Sequence, residues 1–181
     1  LRCLVGSEMC IRDRNNFEDK EKGGFFFTSD QHEQLFYRPK SISDDSVPSG
    51  LVYATDTLLY MGFISGNQKY IEAAYGALDF IYKSIDDNLT SSVSAINLLH
   101  EDNLEKEIII VRTNKKTWEK ITDSEEYYGR CIIFIENELQ NLPDYIAYKE
   151  SKGEFTSYHC KGMTCQAPKL SFEDFIDTLK T

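Results

Sequence analysis

The sequence predicts a mixed α and β chain, with helical hairpins in its first half and a small α/β subdomain in its second. Two observations carry this. Between Ser49 and Ile85, apolar residues recur at the 3.6-residue spacing of helices that bury one face. From Glu107 onward the texture changes to β-branched runs of strand length, Glu107-Ile108-Ile109-Ile110-Val111-Arg112 and Cys131-Ile132-Ile133-Phe134-Ile135. A short helical pattern around Asn114 to Thr122 separates them. Continuous apolar runs joined through a helix predict a parallel βαβ unit covered on both faces.

The first helix is expected from about Ser49 to Ser65. Leu51, Ala54, Thr55, Leu58, Leu59 and Gly62 share its inner face, and Gly66 closes it in the left-handed region. Asn67 is a natural N-cap for a second helix to Ile85, whose buried stripe reads Ile71, Ala74, Tyr75, Leu78, Ile81, Tyr82 and Ile85. A weaker third pattern, Thr90 to Glu101, turns Val93, Ile96, Asn97 and Leu99 or His100 inward. Short links make these helices antiparallel neighbours. Ahead of them, Asn15 to Lys22 reads as a loop, and Gly23-Gly24 leads into Phe25-Phe26-Phe27-Thr28, a short extended or loop segment. Ser29 to Ser49 is turn-rich and punctuated by Pro39 and Pro48; ordered loops of this length are often functional. In the second half, Tyr145 to Lys149 and Phe155 to Cys160 are expected as edge strands. Ser171-Phe172-Glu173-Asp174 has capping-box spacing and opens a last helix with Phe172, Phe175, Ile176 and Leu179 inward.

Leu1 to Arg14 stands apart. It follows neither a strand nor a helix period, and it crowds Cys3, Cys10, Arg2, Arg12 and Arg14 together. Its apolar stretch is too short for a signal peptide. Residues 4–14 resemble one reading frame of a transposase-type sequencing adapter. Residues 1–14 are therefore expected to be non-native, with 15–22 a linker, 23–101 the helical part and 102–181 the α/β part. The 167 residues after Arg14 carry 17 basic against 28 acidic residues, a net of −11. That balance argues against non-specific binding to nucleic acid or to anionic membranes. No apolar run approaches the roughly 20 residues of a membrane span. Outside the adapter-like segment the cysteines are Cys131, Cys160 and Cys165. So few, and odd in number, they fit a reducing, cytoplasmic setting better than a secreted disulfide scaffold.

Several short motifs occur in a fixed order. They are Gly23-Gly24-Phe25-Phe26-Phe27-Thr28-Ser29-Asp30, Arg38-Pro39-Lys40, Pro48-Ser49-Gly50, and the distant Cys160-Lys161-Gly162-Met163-Thr164-Cys165-Gln166-Ala167-Pro168. Together they resemble the YyaL-type proteins related to spermatogenesis-associated protein 20, over roughly Gly23 to Lys180. The resemblance implies the tail of a longer protein that has an N-terminal thioredoxin-like domain and an (α/α)6 toroid of the six-hairpin glycosidase type. The helices here are then the last hairpins of the ring. It also implies a parent that handles a carbohydrate-like ligand, as a sugar epimerase- or glycosidase-like enzyme does, while this chain alone is inactive. A non-enzymatic interaction or redox-support module for the thioredoxin-like domain is the competing expectation. Gln31 stands where the family often has a second acidic residue, and Leu51 where it usually has Asn.

Asp30, His32, Glu33, Arg38 and Lys40 form the densest ionisable cluster on a loop. A His beside carboxylates supplies general acid and base chemistry near neutral pH, so Asp30, His32 and Glu33 are the candidate catalytic groups. Arg38 offers a bidentate grip on a carboxylate or phosphate, and Lys40 and Ser49 complete the candidate ligand contacts. The competing reading is a solvated loop held by local salt bridges. Trp118 and Tyr53, Tyr60, Tyr70 and Tyr75 are read as core rather than as sugar-stacking platforms. The loop between Cys160 and Cys165 reads as a hairpin turn holding two thiols near each other. A redox pair or disulfide, and half of a metal site, are the alternatives. No cofactor is expected: neither strand is followed by a Gly-rich turn.

Overall fold

The computed structural model describes residues 14–31, 36–85, 89–103, 106–122, 130–162 and 164–180. The fold is mixed α and β, in two compact units, Leu1–Leu104 and Glu105–Thr181.

The first unit is built on helices α1 (Gly50–Ser65), α2 (Gln68–Ser84) and α3 (Val93–Asn103), the last preceded by a 3-10 turn at Leu89–Ser91. Capping chemistry fixes their ends. Ser49 Oγ accepts from Val52 N, Asn67 Oδ1 accepts from Lys69 N, and Gly66 closes α1 at φ 67°. Leu51, Leu58, Leu59 and Phe63 of α1 are buried, as are Tyr70, Ile71, Ala74, Ala77, Leu78 and Ile81 of α2. Gly62 lets the two helices close up: a Cβ there would lie 2.6 Å from Ile71 Cγ1.

Two inner faces differ from the expected ones. On α2, Tyr75 and Tyr82 are exposed, and Tyr70, Ala73 and Ala77 are buried instead. On α3, Val93, Ile96, Asn97 and His100 are exposed, whereas Ala95 and Leu98 are buried, as is Ser92 just before the helix. In both, alanines permit close packing, while Tyr75, Tyr82, Val93 and Ile96 are turned outward. The polar segment expected as a loop contains a helical turn at 14–17, followed by a β-bridge between Glu18 and Phe25.

The second unit holds a four-stranded sheet of order β2-β1-β3-β4, with β1 Glu107–Thr113, β2 Cys131–Glu136, β3 Phe155–Lys161 and β4 Thr164–Cys165. β1 and β2 are parallel (Ile109 opposite Ile132) and enclose helix α4 (Lys115–Thr122), as the apolar runs predict. β2 is only partly buried, so its continuous apolar run lies at a sheet edge rather than under full cover. β3 runs antiparallel to β1 and is central, not an edge. The expected strand at Tyr145 to Lys149 is instead a short helix, α5 (Asp144–Ala147), because Pro143 starts a helical turn in which its carbonyl accepts from Ile146 and Ala147.

One face of the sheet packs Ile109, Val111 and Phe155 against Ile121 of α4 and Phe175 and Leu179 of helix α6 (Phe172–Leu179). Phe172 and Ile176 pack partly against this cluster, and Ser171 Oγ accepts from Asp174 N, as the capping spacing requires. Trp118 stacks on Phe134 at 5.0 Å. The alternate residues Ile108, Ile110, Arg112, Tyr158 and Cys160 are buried on the opposite face.

Candidate functional site

The loop before α1 is anchored where two glycines meet. Gly23, at φ 72°, brings its backbone against Gly76 of α2, and Gly24, at φ 79°, lies against the Phe80 ring. The chain then runs outward through Phe25, which is buried, Phe26, which is half-buried, and Phe27, which is 77% exposed. Phe26 N donates to Phe17 O (2.8 Å) and Phe27 N to Pro39 O (2.8 Å), so these backbone bonds fix the row of rings.

Beside that row is a cavity of about 880 Å³. Its apolar wall is Phe17, Phe25, Phe26 and Phe27 with Leu51, Ala54 and Leu58 of α1. Its polar rim is Ser41, Ser43, Asp45, Ser49 and Thr57, with Arg14. An apolar wall with a few placed hydroxyls and one carboxylate is the usual constitution of a small-ligand site. Arg14, the last residue of the adapter-like segment, donates to Glu18 at 2.7 Å.

Ser49 lines the cavity, caps α1, and donates its hydroxyl to Ser41 O at 2.7 Å. Arg38 turns its Nε and Nη2, and Lys40 its Nζ, to partners within the protein. Arg38 donates to Thr28 O (3.2 and 2.5 Å) and Asn16 O (3.0 Å), and lies 4.1 Å over the Phe26 ring. Lys40 pairs with Asp19 at 2.8 Å, donates to Gly23 O at 2.8 Å, and sits 4.0 Å over Phe80. Both cations therefore hold the Phe26 and glycine segment in position. Asp30 is exposed, and its amide donates to Asn16 O at 3.0 Å. His32 and Glu33 lie outside the described residues. Of the residues read as core, Tyr70 is buried, whereas Tyr53 and Tyr75 are exposed.

Asp44 ties the rim to the helices. Its carboxylate accepts from Ser49 N (3.0 Å), from Ser94 N (2.8 Å) and from the Ser94 hydroxyl. Sequence reasoning passed over Asp44, although an Asp five residues ahead of an N-cap Ser is a local cue for such a bond. Burial raises the Asp44 carboxyl, but the bonds from Ser94, Ser49 and Val93 outweigh it and hold the group below its usual value. Asp19 behaves alike: burial raises it, and Lys40 with the Lys22 and Glu21 amides lowers it further. Both contributions to stability are complete above the ordinary value of 3.8 and are lost as pH falls through the lower folded values. The melting temperature of the helical unit is therefore expected to drop as pH falls below the ordinary carboxylate value, and Asp44→Asn should flatten part of that drop. An identical acid profile for the variant would count against the assignment.

In the second unit Cys160 and Cys165 are joined in a disulfide across the β3–β4 hairpin, where the two residues are directly paired. Among the described residues, no group of three or more His, Cys, Asp or Glu side chains is placed to hold a metal ion. Nor is any described helix long and apolar enough to cross a membrane.

Fold and site thus define a mixed α/β protein whose helical unit carries a phenylalanine-walled, hydroxyl-rimmed cavity. In comparisons with known proteins, the chain matches no family model and no curated protein.

Proposed function

We propose that the helical unit is a segment of an (α/α)6 toroid of the YyaL type, in a cytoplasmic protein, and that its cavity receives a carbohydrate-like ligand. The observation that carries this is the composition of the cavity. Phe27, largely exposed, and Phe26, one face of which Arg38 covers, line the cavity with rings on which the C–H face of a sugar can stack, and Ser41, Ser43, Thr57 and Asp45 add donors and acceptors around them. Those rings belong to the motif that carries the family resemblance. Asp30, with His32 and Glu33, follows directly on the Phe row and is the acid–base group of this reading. Catalysis by an epimerase- or glycosidase-like parent needs the remaining helices of the ring, so the chain alone is inactive.

The test is calorimetry of a full-length homologue against a broad panel of neutral and acidic sugars. The expected result is saturable binding to at least one class, with turnover abolished by the counterpart of His32→Ala. Absence of binding and turnover across the panel would sink the proposal.

A second reading is favoured by one observation. Tyr75 and Tyr82, two turns apart on α2, are both exposed. Such a face suits docking of another domain, and a non-enzymatic interaction or redox-support module for a thioredoxin-like domain would use it. Capture of the isolated thioredoxin-like domain by the chain, lost on Tyr82→Ser, distinguishes that reading from ligand binding.

A further inference from the structure

The disulfide of the second unit has an asymmetric environment. Cys160, on the central strand β3, is 2% exposed. Cys165, on the edge strand β4, is partly exposed. Lys149 lies just after α5 and points its Nζ at Cys165 Sγ, 3.1 Å away. Two tyrosine rings hold that ammonium in place, Tyr145 at 5.0 Å and Tyr158 at 5.7 Å from their centroids. The Tyr145 hydroxyl lies 3.9 Å from the same sulfur. The Tyr158 hydroxyl is spent on Glu150 O at 2.7 Å, which fixes its ring. A structural disulfide has no need of a cation directed at one sulfur. A cysteine that must exist as a thiolate does, because an adjacent ammonium stabilises the anion.

We propose that Cys160–Cys165 is a redox-active pair, exchanged by dithiols through Cys165, with Lys149 as the residue that stabilises the Cys165 thiolate. This is independent of the carbohydrate reading. In the reducing direction, a thiolate of an external dithiol attacks Cys165 Sγ. The Cys160–Cys165 bond breaks, and Cys160 leaves as a thiolate and takes a proton from solvent. The second thiolate of the dithiol then attacks its own sulfur in the mixed disulfide. That step releases Cys165 as a thiolate beside Lys149 and leaves the reagent as a cyclic disulfide. Two electrons pass from the dithiol to the protein. In the oxidising direction, the Cys165 thiolate is the nucleophile.

The full chain carrying Cys3→Ser, Cys10→Ser and Cys131→Ser isolates the pair for measurement. Dithiothreitol is the reductant, and the rate of iodoacetamide labelling of Cys165 against pH, read by peptide mass, is the signal. The expected profile for reduced Cys165 has its midpoint clearly below the ~8.5 of a free thiol. Lys149→Gln should raise that midpoint by about one unit and slow labelling at pH 7 roughly threefold. Lys149→Arg should restore most of the shift. A wild-type midpoint at or above the free-thiol value overturns the proposal, as does a profile unmoved by Lys149→Gln. The wild-type and Lys149→Arg profiles decide the matter even if Lys149→Gln fails to fold. Failure of the pair to re-oxidise with an excess of a disulfide reagent would also overturn it.

Discussion

Gly23→Ala is expected to destabilise the helical unit by about 3 kcal/mol or more. Two penalties add. Gly23 sits at φ 72°, where an L side chain is strained. A Cβ there would lie 2.1 Å from Gly76 O and 2.7 Å from Gly76 C, both backbone atoms of a helix that cannot step aside. The Phe25–Phe27 row follows directly on this contact, so the cavity should be lost with it. The reciprocal change behaves oppositely. A Cβ at Gly76 comes no nearer than 3.9 Å to Gly23, and Ala in a helix interior gains about 0.5–1 kcal/mol over Gly. Urea denaturation followed by far-UV circular dichroism separates the two variants. Gly23→Ala within about 0.5 kcal/mol of the parent would contradict the close backbone approach.

Phe175→Ala should cost the second unit about 3–5 kcal/mol. Phe175 is fully buried, packs against Phe155 (ring centroids 5.4 Å apart) and His159 (5.8 Å), and is the centre of the cluster beneath the sheet. Truncation leaves a cavity between a sheet and a two-turn helix. It also bares His159, whose buried Nε2 has no hydrogen-bond partner among the described residues and whose basicity is depressed first by burial. The single tryptophan, Trp118, packs against this cluster, so its fluorescence reports the unit directly. A denaturation midpoint unchanged in Phe175→Ala would mean that α6 does not close the core.

What the sequence made legible was where regular structure starts and stops, because those signals are local. Asn67, Ser171 and Gly66 each act on backbone groups within a few residues, and all three do so in the structure; Ser49, expected only as the start of the helix, proves to be its cap. The parallel pairing of β1 and β2 was legible for a similar reason: two β-branched runs with a helix between them leave few topologies. Which face of a helix turns inward was less legible. Tyr75, Val93 and Ile96 have more apolar area to bury than Ala73, Ala77 and Ala95, yet close helix packing selects the alanines. The place of β3 at the sheet centre depends on a return across residues 137–154 that no local pattern reveals. The site divides in the same way. The Phe25–Phe27 motif and Ser49 do line the cavity. Composition alone does not reveal that Arg38 and Lys40 direct their donors at backbone carbonyls and Asp19, because those partners lie 10 to 22 residues away in sequence. The Lys149–Cys165 contact, 16 residues apart, was invisible for the same reason.

A carbohydrate-like ligand in the phenylalanine-walled cavity can be sought by mapping sugar binding onto this chain. Backbone amide shifts would be followed while the chain is titrated with the same panel of neutral and acidic sugars. Saturable shifts are expected for at least one sugar, concentrated at Phe26, Phe27, Ser43, Ser49 and Thr57 and abolished by Phe27→Ala. Shifts that never saturate for any sugar, or that persist unchanged in Phe27→Ala, would contradict it.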